Sequence, residues 1–177
     1  KILFINPNKW GRGITHIWIA SHSGVLKKNN HTVELFDASF YSNWSLNEVK
    51  FQTKNDMYKK TTYDDFLKFN SNNILEDLQK KINEFQPDFI FWSAISSHIH
   101  GEGEYSSIQY YHELITEIKT NALIIAGGLQ VTADVIDSAK RFTNFNYLIA
   151  GESELALGLI ASKIDENSEI VDIPGVV

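Results

Sequence analysis

Two short apolar runs constrain the fold of this sequence more than anything else in it. Lys1-Ile-Leu-Phe-Ile5 and Asp88-Phe-Ile-Phe-Trp-Ser93 show no polar face of any period, and each has a proline beside it, Pro7 after the first and Pro87 before the second. Runs this short and this apolar read as strands buried on both faces, which belong at the centre of a parallel sheet. Three further runs supply neighbours. Residues 31–37 carry Val33 and Leu35 in alternation with polar positions, 122–126 are Ala-Leu-Ile-Ile-Ala, and 145–150 are Phe-Asn-Tyr-Leu-Ile-Ala.

Helical spacing fills the intervals. The first helix begins near Ile14, with Ile14, Ile17, Trp18, Ser21 and Val25 on one face, Lys27 and Lys28 in its last turn and Asn29-Asn30 as a left-handed stop. Ile74, Leu75, Leu78, Ile82 and Phe85 mark a second helix, capped by Asn72 or Asn73 and stopped by Pro87. Tyr105, Ile108, Tyr111, Ile115 and Ile118 mark a third, residues 132–140 a shorter fourth, and Leu155, Leu159 and Ile160 the core face of a fifth. Strands that alternate with helices specify an α/β protein. The expected architecture is a three-layer, Rossmann-like or flavodoxin-like parallel sheet of five strands, order 2-1-3-4-5, with helices on both faces. Its ligand crevice lies at the carboxyl edge, between strands 1 and 3.

Residues 38–72 break the rhythm. They are rich in Asn, Lys, Tyr and Phe, with room for a short helix at 62–69. A segment this long without its own period is a surface excursion or a functional flap. As a flap it would bring Phe40, Tyr41, Trp44 or Phe51 to a flat ligand at the edge.

Composition narrows the class. The chain has 177 residues, room for one domain across 1–177 with 38–72 as an insertion. Its net charge is −6 and no Lys/Arg cluster stands out, which argues against a nucleic-acid partner. No apolar run reaches membrane-spanning length and no signal peptide is visible. The absence of cysteine excludes disulfides, thiolate metal sites, iron–sulfur ligation and cysteine nucleophiles within this sequence, and makes the cytoplasm the expected compartment. The sequence does not begin with Met, and Asp172-Ile-Pro-Gly-Val-Val177 reads as a strand or linker cut in mid-course, so a longer protein is expected.

The carboxyl edge is where chemistry is expected. After strand 1 come Asn6-Pro-Asn8-Lys-Trp10-Gly11-Arg-Gly13, after strand 3 Ser93-Ala-Ile95, after strand 4 Gly127-Gly128, and after strand 5 Gly151-Glu152-Ser-Glu154. A phosphoacceptor receiver needs a carboxylate pair and an Asp where Asn6 and Ser93 stand. A flavin-phosphate loop needs Ser and Thr where Asn-Pro-Asn-Lys-Trp stands. No G-x-x-x-x-G-K-[ST] is present for a nucleoside triphosphate. A dinucleotide (NAD or FAD) site is the alternative that survives. Gly11 and Gly13 give two fingerprint glycines and Asp37 a ribose-binding acid, but His16 replaces the third glycine and Gly11 lies far from the strand end.

The ordered edge motifs resemble the cobalamin (vitamin B12)-binding domain, which carries D-x-H-x-x-G after strand 1, S-x-L or S-x-T after strand 3 and G-G after strand 4. In the resemblance Asn6, Asn8 and Gly11 take the Asp, His and Gly positions. Ser93 and Ile95 stand for S-x-L, and Gly127 and Gly128 for the glycine pair. Asn8 in the histidine position implies a cofactor bound without the axial His. This departure, with Gly151-Glu152-Ser-Glu154 after strand 5, resembles the cobalamin-binding domains N-terminal to radical S-adenosylmethionine enzymes. The resemblance implies a corrinoid-binding module, not catalytic by itself, with Asn6, Asn8, Trp10, Gly11, Ser93, Ile95, Gly127, Gly128, Gly151 and Glu152 as the cofactor-binding set. It further implies a covalently following catalytic domain, of methyltransferase or Fe–S oxidoreductase type, that holds S-adenosylmethionine and an iron–sulfur cluster.

Other readings compete at single positions. Gly127-Gly128 also suits a tight turn, and Glu154 suits the dipole of a helix start. His98, His100, Glu102 and Glu104 alternate like metal ligands, but Gly101 and Gly103 between them favour a loop. His16, His22, His31 and His112 read as surface residues, and no carboxylate pair or Ser-His-Asp set has the context of a catalytic site.

Overall fold

In the computed structural model the described residues are 1–9, 16–45, 68–94 and 107–177. The elements in chain order are β1 (Ile2–Asn6), α1 (Ile17–Lys28), β2 (Val33–Asp37), α2 (Ile74–Phe85), β3 (Phe89–Ala94), α3 (Ile108–Thr116), β4 (Leu123–Gly128), α4 (Leu129–Ala133), α5 (Val135–Arg141), β5 (Tyr147–Leu148) and α6 (Ser153–Asp165). The five strands form one parallel sheet in the order β2-β1-β3-β4-β5, as expected. Ile2 to Ile5 and Phe89 to Trp92 are almost fully buried, so both central strands are covered on both faces.

Alternation of side chains assigns the layers. Phe4 and Phe91, partners in the β1–β3 register, point to one face. There Trp18 of α1 packs on both, with ring centroids 5.3 and 5.8 Å away. Trp92 points the other way and stacks on Tyr111 of α3 at 5.8 Å. The Tyr111 hydroxyl is buried and donates towards the carbonyls of Ile90 (3.2 Å) and Ile125 (3.1 Å), so one side chain ties α3 to two neighbouring strands. On the first face α6 joins α1, and the Ser21 hydroxyl donates to Glu154 at 2.7 Å.

Caps behave as their residue types require. The Asn73 side chain accepts from the Leu75 N–H, and Gln86 ends α2 in the left-handed region before Pro87. Ser107 caps α3. Asn30 takes the left-handed turn after α1, with φ of 65°.

Several expectations need correction. α1 buries Trp18, His22 and Leu26, one step round from the expected stripe, and leaves Ile17 exposed. His16 and His22, read as surface residues, are buried, whereas His31 and His112 are half-buried. On β2 the buried residue is Phe36 and Leu35 is exposed. On α6 the core side is Ala156, Leu157, Ile160 and Ala161, while Leu155 and Leu159 face outward. The expected 132–140 helix is two short helices that meet at Asp134, whose side chain caps the second by accepting from the Asp137 N–H. β5 is only two residues long, and the segment near the last residue runs antiparallel beside it, with Val177 and Leu148 exchanging backbone hydrogen bonds. Among the described residues no helix is long and apolar enough to cross a membrane.

Candidate functional site

The carboxyl ends of the strands bring small and polar residues together. The buried run of β1 ends at Asn6, and β3 ends through Ser93, which pairs in register with Gly127 of β4. Counting on from the Phe4–Phe91 pair, Asn6 and Ser93 occupy equivalent places and share the α1 face. Asn6, Asn8 and Ser93 are each 2% exposed or less. Four expected residues, Asn6, Asn8, Ser93 and Gly127, thus cluster where the first, third and fourth strands end. Gly128, Gly151 and Glu152 continue the rim. Trp10, Gly11 and Ile95 lie outside the described residues, as do Gly13, Phe51 and the His98–His100–Glu102–Glu104 set. Among the described residues no group of three or more His, Asp or Glu could hold a metal ion.

Asn6 is fixed by a partner that sequence reasoning assigned elsewhere. Its Nδ2 donates to Asp37 Oδ1 at 3.0 Å, and the same oxygen accepts from the Ser39 N–H (3.0 Å) and the Ser39 hydroxyl (2.6 Å). One oxygen of the carboxylate that the alternative reading offers to a ribose thus serves three donors. A carboxylate oxygen only accepts, so the amide's nitrogen must face Asp37. Asn6 Oδ1 is left buried with no hydrogen-bond partner among the described residues.

Gly127 is glycine for a packing reason. A Cβ there would lie 2.5 Å from Ser153 Oγ and 3.4 Å from the Phe91 ring, so the missing side chain lets the start of α6 close on the sheet. Gly151 differs. Its φ is +89°, which glycine tolerates, and nothing lies within 4 Å of where a Cβ would stand. Thr132 links the two glycine turns, since its hydroxyl donates to the Gly128 carbonyl (2.9 Å) and accepts from the Gly151 N–H (2.8 Å). Neither Thr132 nor Ser153 stood out in the sequence. The usable signals were the four-residue step from Gly128 to Thr132 and the hydroxyl at the first position of α6.

Lys9 fastens the loop after β1. Its ammonium lies 2.5 Å from Glu113 of α3 and over the rings of Trp44 (4.4 Å) and Tyr110 (5.0 Å). A cation between two aromatic faces and a carboxylate is held from three sides. Trp44, expected as a ligand-facing flap residue, is engaged in this clasp. Phe40 packs on Phe69 and Tyr41 on Phe36.

Beneath the edge, the His22 Nδ1–H donates to the Trp18 carbonyl at 2.8 Å, and its ring lies against Phe91 at 5.4 Å. Burial lowers the His22 pKa below its ordinary 6.5, against the opposing pull of Glu154, the Trp18 carbonyl and Glu152. Glu154 ends up lowered, because Ser21, its own N–H and His22 together outweigh its burial. Glu154 therefore braces α6 against α1. Glu152, at the N-cap of α6, makes no side-chain cap bond. A groove of about 690 Å³ lies at the opposite, amino end of the sheet, lined by Ile82, Asn83, Pro87, Asp88, Lys119 and Leu123.

These features define a class: an all-parallel, Rossmann-like α/β fold with a polar, small-residue row at the carboxyl ends of its central strands. No protein-family model matches the sequence, and no curated protein matches it. Among solved structures the chain is similar to the cobalamin-dependent S-adenosylmethionine radical enzyme OxsB. The similarity holds for the form with aqua-cobalamin and S-adenosylmethionine bound, the form with aqua-cobalamin bound, and the apo, selenomethionine-labelled form. In each case the TM-score is 0.54 at 14% identity, over 99% of this chain and 20% of that one. The chain therefore spans about a fifth of that enzyme's length, and at this identity the likeness establishes the fold.

Two outcomes follow from the packing. Gly127→Ala should destabilise the protein by about 1–3 kcal/mol through overpacking, and Ser153→Ala in the same chain should recover most of the loss. Chemical denaturation of the single and double variants measures both. A histidine lowered in the folded state binds fewer protons there than in the unfolded chain, so its stabilising contribution holds above the ordinary 6.5 and declines as pH falls below it. Between about pH 7.5 and 5 the melting temperature should fall, and His22→Gln should flatten the decline, with the remainder due to His112, which burial also lowers.

Proposed function

We propose that this chain is a corrinoid-binding module that holds cobalamin at the carboxyl edge of its sheet, as the N-terminal part of a radical S-adenosylmethionine enzyme. The observation that carries the reading is the row of Asn6, Ser93 and Gly127 at the ends of β1, β3 and β4, with Asn8 buried just beyond it. The row fits a large ligand rich in amides and hydroxyls. Its side chains are small, it carries the unmet acceptor of Asn6, and the Gly151 backbone borders open space. The likeness to OxsB, a cobalamin-dependent enzyme, supports the same reading.

In this reading Asn6, Asn8 and Ser93 contact the corrinoid through polar groups, and Gly128, Gly151 and Glu152 contact it along the rim. Gly127 serves Ser153 with its missing side chain, so only its backbone is left for the ligand. Lys9 positions Asn8 by fastening the next residue to α3. Bound cobalamin would supply a cobalt centre that carries a methyl group or an equivalent fragment. The S-adenosylmethionine and the iron–sulfur cluster would belong to a covalently following catalytic domain. Asn8, an amide in the position of an imidazole, would offer a bound cobalt no imidazole nitrogen. That position would be left to water, left empty or covered by an apolar side chain, for which Trp10 and Ile95 are the sequence candidates.

A ligand of the native fold raises the melting temperature by mass action. At a concentration of 100 Kd the gain is about 2.7 kcal/mol, or about 5–10 °C for a chain of this size. Hydroxocobalamin should give this shift, and NAD and FAD none; the reverse would restore the dinucleotide reading. The visible spectrum of the bound corrinoid should show no nitrogen lower ligand, should not change in Asn8→Ala, and should become nitrogen-ligated in Asn8→His. Nitrogen-ligated bands that persist in Asn8→Ala and vanish in His98→Ala would contradict binding without a protein nitrogen and point to the loop after β3, and an unchanged spectrum in Asn8→His would mean that the loop after β1 is misassigned.

A further inference from the structure

The amide of Asn6 has one satisfied end and one unsatisfied end, and the two ends differ in chemistry. Nδ2 is committed to Asp37 at 3.0 Å, while Oδ1 is buried with no partner among the described residues. A buried acceptor without a donor is destabilising, so the position gains when a donor arrives. An acceptor left open favours a neutral ligand group that carries N–H or O–H. A carboxylate or phosphate has no proton to give Asn6 and would stand near the charge of Asp37.

We propose that Asn6, oriented by Asp37, is a specificity residue that accepts a hydrogen bond from a neutral carboxamide or hydroxyl of the ligand and disfavours an anionic group at that place. The inference rests on the corrinoid reading. Corrinoids offer this chemistry twice, in the carboxamides around the ring and in the ribose hydroxyl of the nucleotide tail. Asp37 is the positioning partner: without it the amide can turn over and present its nitrogen instead.

Absorbance titration of the natural protein, Asn6→Ala and Asp37→Ala with hydroxocobalamin and with cobinamide, which lacks the nucleotide tail, tests this. Asn6→Ala should weaken binding about five- to tenfold, the worth of one hydrogen bond. Its ligand-free melting temperature should be unchanged or higher, because the unmet acceptor is gone. A purely structural role would instead lower the melting temperature and leave affinity alone, and that result overturns the proposal. Weakening with both ligands assigns the donor to a ring carboxamide; weakening with hydroxocobalamin alone assigns it to the ribose. If Asn6→Ala does not fold, Asp37→Ala, at an exposed position, should show a smaller loss of the same pattern, and full affinity there overturns the proposal. Equal affinities in all three proteins remove this inference and leave the corrinoid reading standing. A natural protein that binds neither ligand removes both.

Discussion

The carboxyl edge depends on the complete burial of β1. From Ile2 to Ile5 the strand has no solvated face, so its backbone is paired on both sides and its side chains are apolar above and below the sheet. Polar side chains begin where that apolar run ends, at Asn6. The amide placed there is itself buried and needs a partner, which Asp37 supplies from the end of the neighbouring strand. β3 likewise ends through a buried polar residue, Ser93. The site is thus a boundary condition of the core: its position is set by the length of two apolar strands, and its polarity by the first residues that escape them.

Helix packing sets the depth of the edge. Trp18 fills the space over Phe4 and Phe91, His22 lies beside it, and α6 approaches closely enough for Ser153 to take the volume that a side chain on Gly127 would need. The Ser21–Glu154 hydrogen bond holds α1 and α6 together. Thr132 and Lys9 then tie the loops to the frame, one bridging the two glycine turns and the other clamping the start of the loop after β1 to α3. A ligand would meet a rim held by side-chain contacts, with the unmet acceptor of Asn6 set into it.

Much of this was legible from residue order. The apolar runs of β1 and β3 and the helical periods between strands marked a parallel α/β sheet, its order was the common solution for such a chain, and Asn73 and Pro87 marked the limits of α2. Faces were harder to read. Ile17, Leu155 and Leu159 have the right spacing for a core stripe but look outward, because α1 and α6 bury the neighbouring stripes that contain Trp18 and Leu157. His16 and His22 looked like surface residues because a histidine's burial depends on partners distant in sequence, such as Phe91 for His22. Asn6, Asn8, Ser93 and Gly127 were picked out as candidates from their places at strand ends. The Asn6–Asp37 bond and the Gly127–Ser153 approach join residues on different strands and helices, and no local pattern announces them.

Hydrogen–deuterium exchange with and without hydroxocobalamin tests the central claim most directly, since it asks where a corrinoid sits as well as whether it binds. Bound corrinoid should slow exchange at the amides around Asn8, Ser93, Gly128 and Gly151–Ser153, with no change around Asn83, Asp88 and Lys119 in the groove at the amino end. Protection confined to that groove, or no protection at ligand concentrations that saturate any binding seen by absorbance, would contradict it.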